Sequence, residues 1–278
     1  MIALSLSLTA CFGWGVADFL GGWHSRRLPT LLVLLLSNLF GLIVLGLIVA
    51  WRGTAFPMQP ALLWAVAAAL AAVVGMTLLY KGLATGTMAI VSPISATGVI
   101  LPILFGLAYG ERLTGLQWAG ILAAVTGTVL AAREDRALTR DTRLAAGTGL
   151  ALGSAVAVGV FFILMARASE VDPYWATLVM RLCFGALIVP LLAIARPSFA
   201  VDRRRMAGLF TMGTLDALAS VAFAVATTVG LLSLVSVVGS LYPVVTVLLS
   251  VLVLRERPGR WQAVGVVLAL TGVGMISA

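Results

Sequence analysis

Three ionisable side chains interrupt stretches that are otherwise apolar: Asp18, Arg181 and Asp216. A charge at membrane depth is expensive, so each is a candidate functional group. Arg181 falls about nine residues into one apolar segment and Asp216 about ten into the next. At about 1.5 Å per helical residue both lie roughly 15 Å from opposite membrane faces, so antiparallel neighbours would bring them together. Two readings are open. The pair is either a buried tie between two helices, or a recognition unit in which the planar guanidinium receives a carboxylate and Asp216 faces an ammonium or takes up a proton.

Asp18 has two readings as well. Trp23, His24, Arg26 and Arg27 follow it and could hold it at the interface. Alternatively it points into a cavity beside Trp14, one helical turn earlier on the same face. Trp14 and Tyr80 are the best aromatic candidates for a cavity wall, with Phe161 and Tyr242 behind them. Ser92, Ser95, Ser236 and Ser240 either offer hydroxyls to a substrate or bond back to their own helix carbonyls. Pro93, Pro102 and Pro243 each remove a backbone donor and are candidate hinges. Glu111 and Glu256 sit next to Arg112 and Arg257 at helix ends, where pairing or capping of the following helix is expected.

These residues must be positioned by membrane helices. The 278 residues are 62% hydrophobic and 10% charged, with a mean hydropathy of +1.13. Soluble domains are about 45–50% apolar and about 25% charged, so lipid is the solvent here. A net charge of +8 could suggest nucleic acid, but an excess of Arg in cytoplasmic loops explains it and no nucleic-acid partner is expected. Cys11 and Cys183 both fall in apolar segments without metal or disulfide spacing. No metal site or cofactor is expected. The first segment begins without a basic residue and is read as a spanning helix, not a signal peptide.

Breaks in the pattern give ten candidate spans: 2–21, 30–51, 61–80, 86–109, 116–132, 144–166, 173–195, 206–229, 231–254 and 261–277. Gly82 with Gly86, and Gly149 with Gly153, have the spacing that lets helix backbones approach. The chain also repeats itself at an offset of 145: Ser95 answers Ser240, Glu111 answers Glu256, Gln117 answers Gln262, and Gly120 and Gly127 answer Gly265 and Gly272. Two repeats, 1–135 and 136–278, therefore follow. Five spans is an odd number, so the second repeat enters the membrane from the opposite side. Most of the 18 basic residues fall in alternate loops, which places both termini outside the cytoplasm.

The predicted fold is thus an all-α integral membrane protein: ten transmembrane helices as two inverted five-helix repeats around a central cavity. An ATP-driven pump is excluded, because Lys81-Gly82 holds the sole lysine and no phosphate-binding loop surrounds it. A membrane enzyme lacks a nucleophile–base constellation, and a channel lacks enough polar lining residues.

The pattern Pro243, Glu256, Gln262, Gly265 and Gly272 resembles the ten-helix EamA-type branch of the drug/metabolite transporter superfamily. Glu111, Gln117, Gly120 and Gly127 repeat it, with Gly98 where the proline is expected. Trp14-Gly15 is similar to that family's opening Trp-Gly. Within the branch the chain is most similar to bacterial amino-acid exporters, including those for aromatic amino acids. The resemblance implies alternating-access export of amino acids or similar metabolites across a bacterial inner membrane, by a monomer or weak homodimer. It leaves other cargo open, such as drugs, purines or sugar derivatives.

Overall fold

The computed structural model describes residues 1–25, 28–85, 94–95, 97–131, 142–195, 201–254 and 259–277. Among them every regular element is helical. The first half contains α1 (Ile2–Ser25), α2 (Thr30–Arg52), α3 (Leu63–Thr85), α4 (Ile100–Ala108) and α5 (Gly115–Ala131). The second contains α6 (Thr142–Ser169), α7 (Pro173–Ala195), α8 (Arg203–Val229), α9 (Leu232–Gly239), α10 (Tyr242–Leu254) and α11 (Arg260–Ser277). Six of these are long and apolar enough to cross a membrane on their own. The expected boundary between 135 and 136 lies outside the described residues.

One expected helix is divided. The span 231–254 breaks at Ser240-Leu241 into α9 and α10. Pro243 has no N–H to donate to the Gly239 carbonyl, so the helix stops and restarts after a turn. The break is closed by bonds that span three residues, Leu241 N–H to the Val238 carbonyl and Val244 N–H to the Leu241 carbonyl. The counterpart in the first half behaves similarly. There a 3₁₀ turn, Thr97–Val99, leads into α4, and residues 86–93 of the expected span lie outside the described residues. Pro102 is in the first turn of α4, where a missing donor costs little.

The halves interlock and do not simply sit side by side. α1 packs along α8, and its counterpart α6 packs along α3. α5 packs along α11 through glycines matched across the repeat. A Cβ on Gly120 would lie 2.8 Å from the Gly272 carbonyl, and one on Gly272 would lie 2.6 Å from the Gly120 carbonyl. Gly127 and Gly265 stand in the same reciprocal relation, at 2.7 Å each way. The repeated glycines therefore form a twofold-like helix contact. The spacing motif at Gly149 does not act this way: Gly149 faces open space, while Gly153 alone approaches Leu78.

Contacts between loops fix the threading. On the face carrying both termini, Arg52 at the end of α2 pairs with Asp172 before α7 (3.1 Å) and lies over the Tyr174 ring (3.9 Å). Burial alone would raise the Asp172 carboxyl. The Arg52 hydrogen bonds, with those from Trp175 and Tyr174 N–H, outweigh it and hold the group below its ordinary range. Arg167 in the last turn of α6 lies over the Phe105 and Tyr109 rings at the end of α4. Glu111, before α5, reaches the start of α9. Each of these loops follows an even-numbered span, as ten crossings in two opposed repeats require.

Glu111 corrects an expectation. It caps a helix, but in the other half: its carboxylate accepts from Leu232 N–H (2.6 Å), Ser233 N–H (3.1 Å) and the Ser233 hydroxyl. Negative charge at a helix N-terminus is favourable. The following helix, α5, is capped by a reciprocal pair instead. Thr114 N–H donates to Gln117 Oε1 (2.9 Å), and Gln117 N–H donates to Thr114 Oγ1 (3.2 Å). In the second half Gly259 stands in place of Thr114, so only the Gly259 N–H to Gln262 bond remains (3.0 Å). Glu256 and Arg257 lie outside the described residues. On the opposite face His24 stands in the last turn of α1, buried against Gly208, and burial followed by the nearby Arg205 charge lowers its pKa.

Candidate functional site

Asp216 and Arg181 meet as antiparallel α7 and α8 predict. Arg181 Nη2 donates to Asp216 Oδ2 at 2.7 Å and to the Ser220 hydroxyl at 3.1 Å. The Ser220 hydroxyl in turn donates to the Asp216 carbonyl, 2.8 Å away. The pair is lopsided: the Arg181 side chain is 3% exposed and that of Asp216 38%. A glycine crossing explains the asymmetry. Gly41 of α2 and Gly213 of α8 bring their backbones together, and a Cβ on Gly41 would lie 2.9 Å from Arg181 Nη1. The guanidinium fills the space that these glycines leave. Asn38, one turn earlier on α2, donates to the Arg181 carbonyl (3.2 Å) and fixes that stretch of α7.

Beside this pair lies a cavity of ≈ 1020 Å³, counting its open mouth. α1 contributes Trp14 and Asp18, α2 Ser37 and Asn38, and α3 Met76. α6 contributes Phe161 and Phe162, α7 Met180 and Phe184, α8 Met212, and α10 Tyr242. Asp18 is exposed on the cavity wall beside Trp14, where the second of its two readings puts it. Arg26 and Arg27 lie outside the described residues. Asp18 lies within electrostatic reach of Asp216 and Tyr242. Towards the terminal face the cavity ends at a cluster of mutually tilted rings: Trp14, Phe162 and Phe223 have centroids 4.9–6.0 Å apart, and Phe223 is fully buried.

Tyr242 reaches the cavity because the helix breaks just before it. Gly15 allows α10 to approach α1 closely, and the Thr246 hydroxyl donates to the Gly15 carbonyl at 3.0 Å. Trp14-Gly15 therefore places one ring in the cavity and one close backbone contact behind it.

Trp14, Asp18, Phe161, Arg181, Asp216 and Tyr242 are thus brought together. Three expected serines are not. Ser95 Oγ donates to the Ala151 carbonyl of α6 (3.5 Å), and Ser240 to the Val237 carbonyl (2.8 Å). Ser236 is fully buried away from the cavity, with no partner for its hydroxyl among the described residues. Ser92 and Pro93 lie outside the described residues, as does the Tyr80 side chain, although its backbone belongs to α3. Ser37, Asn38 and Ser220 were not singled out from sequence. Asn38 alone carried a signal, as an isolated amide within an apolar run. Among the described residues no three His, Cys, Asp or Glu side chains cluster closely enough to hold a metal.

The fold is similar to that of solved structures. One of them, titled "Crystal structure of protein", is 21% identical and superposes with a TM-score of 0.83 over 98% of this chain and 95% of that one. That likeness concerns the fold. No curated protein matches in sequence. The profile of the EamA-like transporter family matches twice, over residues 1–133 and 145–278. With nearly every residue covered by two copies of that profile, the chain belongs to the EamA-like transporter family, multi-pass membrane proteins that carry small molecules.

Proposed function

We propose that this protein is a secondary transporter that exports amino acids, including aromatic and other neutral ones, or similar small metabolites by alternating access. One observation carries the reading: a cavity lined by helices of both halves combines Asp18, Arg181 and Asp216 with walls of aromatic and methionine side chains. Such a site suits a small molecule with a charged end and a bulky apolar body. Few hydroxyl or amide groups line it, which weighs against polyols such as sugars. Ser37, Asn38, Ser220 and the Tyr242 hydroxyl are the uncharged hydroxyl and amide groups of the lining.

Alternating access needs contacts that part. On the terminal face these are the Arg52–Asp172 pair and the Glu111 cap on α9, and Pro243 beside the helix break is the natural flex point. Pro102, with its counterpart turn, serves the first half. We assign the two repeats to 1–135 and 136–278, the setting to a bacterial inner membrane, and the working unit to a monomer or weak homodimer.

Proteoliposomes loaded with labelled phenylalanine, threonine or methionine test the substrate class. Saturable counterflow of at least one is expected. If none moves, with or without a pH gradient or membrane potential, the amino-acid assignment is wrong.

A further inference from the structure

The charges on the cavity wall do not balance. Two carboxylates, Asp18 and Asp216, face one guanidinium, Arg181. Arg181 is already committed. Nη2 serves Asp216 and Ser220, Nη1 is packed against the Gly41 backbone, and Nε is buried without a partner among the described residues. At 3% exposure it offers an incoming carboxylate almost no surface. Asp216 gives only Oδ2 to Arg181 and remains open to the cavity. Asp18 has no hydrogen bond or ion pair among the described residues and stands on the wall one turn from Trp14.

We propose that Asp18 and Asp216 form an ammonium subsite, so that the transporter recognises its cargo by a protonated amine rather than by a carboxylate. The inference rests on the transporter reading and narrows its substrate class. An ammonium between the two acids brings the cavity to neutrality, where an uncompensated charge at this depth would be costly. Trp14 and Tyr242 add ring faces on which a cation is attracted. Arg181 is a positioning residue: its Nη2 holds Asp216 Oδ2 at 2.7 Å and so fixes that carboxylate on the wall. Amines without a carboxylate are therefore ligands, and acids without an amine are not.

Three probes separate these charges on one scaffold: 2-phenylethylamine, phenylalanine and 3-phenylpropionate. Binding is measured by calorimetry on the full chain in lipid nanodiscs. The amine and phenylalanine are expected to bind, with the propionate about tenfold weaker or worse, the size of one lost charge-assisted contact. Asp18→Asn is expected to weaken the amine by a similar factor. Equal or better binding of the propionate, no binding of the amine, or an unchanged amine affinity in D18N overturns the subsite. If D18N does not fold, the three probes on the natural sequence decide alone. Phenylalanine counterflow in the same preparation keeps the two readings apart. Flux without amine binding removes the subsite and leaves the transporter reading. Amine binding without flux of any amino acid keeps the subsite and removes the amino-acid assignment.

Discussion

Arg181 and Asp216 illustrate how one ion pair can have two unequal members. Each was identifiable as a charge at mid-span, but their difference in exposure was not. The unequal burial sets a stability order. Asp216→Asn leaves a nearly inaccessible guanidinium without its counter-ion, a loss of about 3–5 kcal/mol for a buried pair. Arg181→Met leaves a carboxylate that the cavity can still solvate, and costs less. Thermal melting in detergent is expected to rank D216N below R181M, with the double variant recovering most of the loss. If R181M melts lower than D216N, the guanidinium is not the buried member. The serines show the opposite lesson: polar residues paired across the repeat were natural candidates, yet Ser95 and Ser240 spend their hydroxyls on carbonyls.

Helices meet here through glycine rather than through large side chains, since lipid provides no hydrophobic force to drive helix association. The sequence repeat marked Gly120, Gly127, Gly265 and Gly272, and the structure makes them one contact between α5 and α11. A Cβ on Gly127 would lie 2.3 Å from the Ala269 nitrogen, a backbone atom that cannot move aside. Gly127→Ala is therefore expected to abolish a monodisperse peak in size-exclusion chromatography. Gly149→Ala, which meets nothing within 4 Å, is expected to be neutral or stabilising, since alanine favours a helix by about 0.8–1.0 kcal/mol over glycine. Equal behaviour of the two variants would mean that α5 and α11 do not touch at this point. Glu111 belongs to this scale too. Its pairing with a distant helix start could not be read from neighbours in sequence, since about 120 residues separate the partners.

The molecule as a whole is two opposed copies that share their interfaces, so neither half has a core of its own. Opposed threading with an excess of Arg on one side gives an orientation. In a variant without Cys11 and Cys183, a cysteine at exposed Tyr109 is expected to react with an impermeant thiol reagent added to intact cells. A cysteine at Arg204 is expected to react only after permeabilisation. The reverse pattern would place both termini in the cytoplasm, and reaction of both from one side would refute the opposed threading. Both positions lie outside the cavity, so the readout does not depend on transport.

Composition, spacing and the 145-residue repeat were enough to establish lipid as the solvent, the number of crossings and their opposed sense, because each rests on counting along the chain. They also placed Trp14, Asp18, Arg181 and Asp216 at a depth where charge and ring could meet. Which faces turn inward was decided only in three dimensions. An apolar helix in lipid carries little contrast between its faces, so periodicity could not tell Asn38 or Ser220 on the cavity wall from Ser236 buried away from it. That choice came from glycine crossings and a proline break, contacts between residues far apart in the chain.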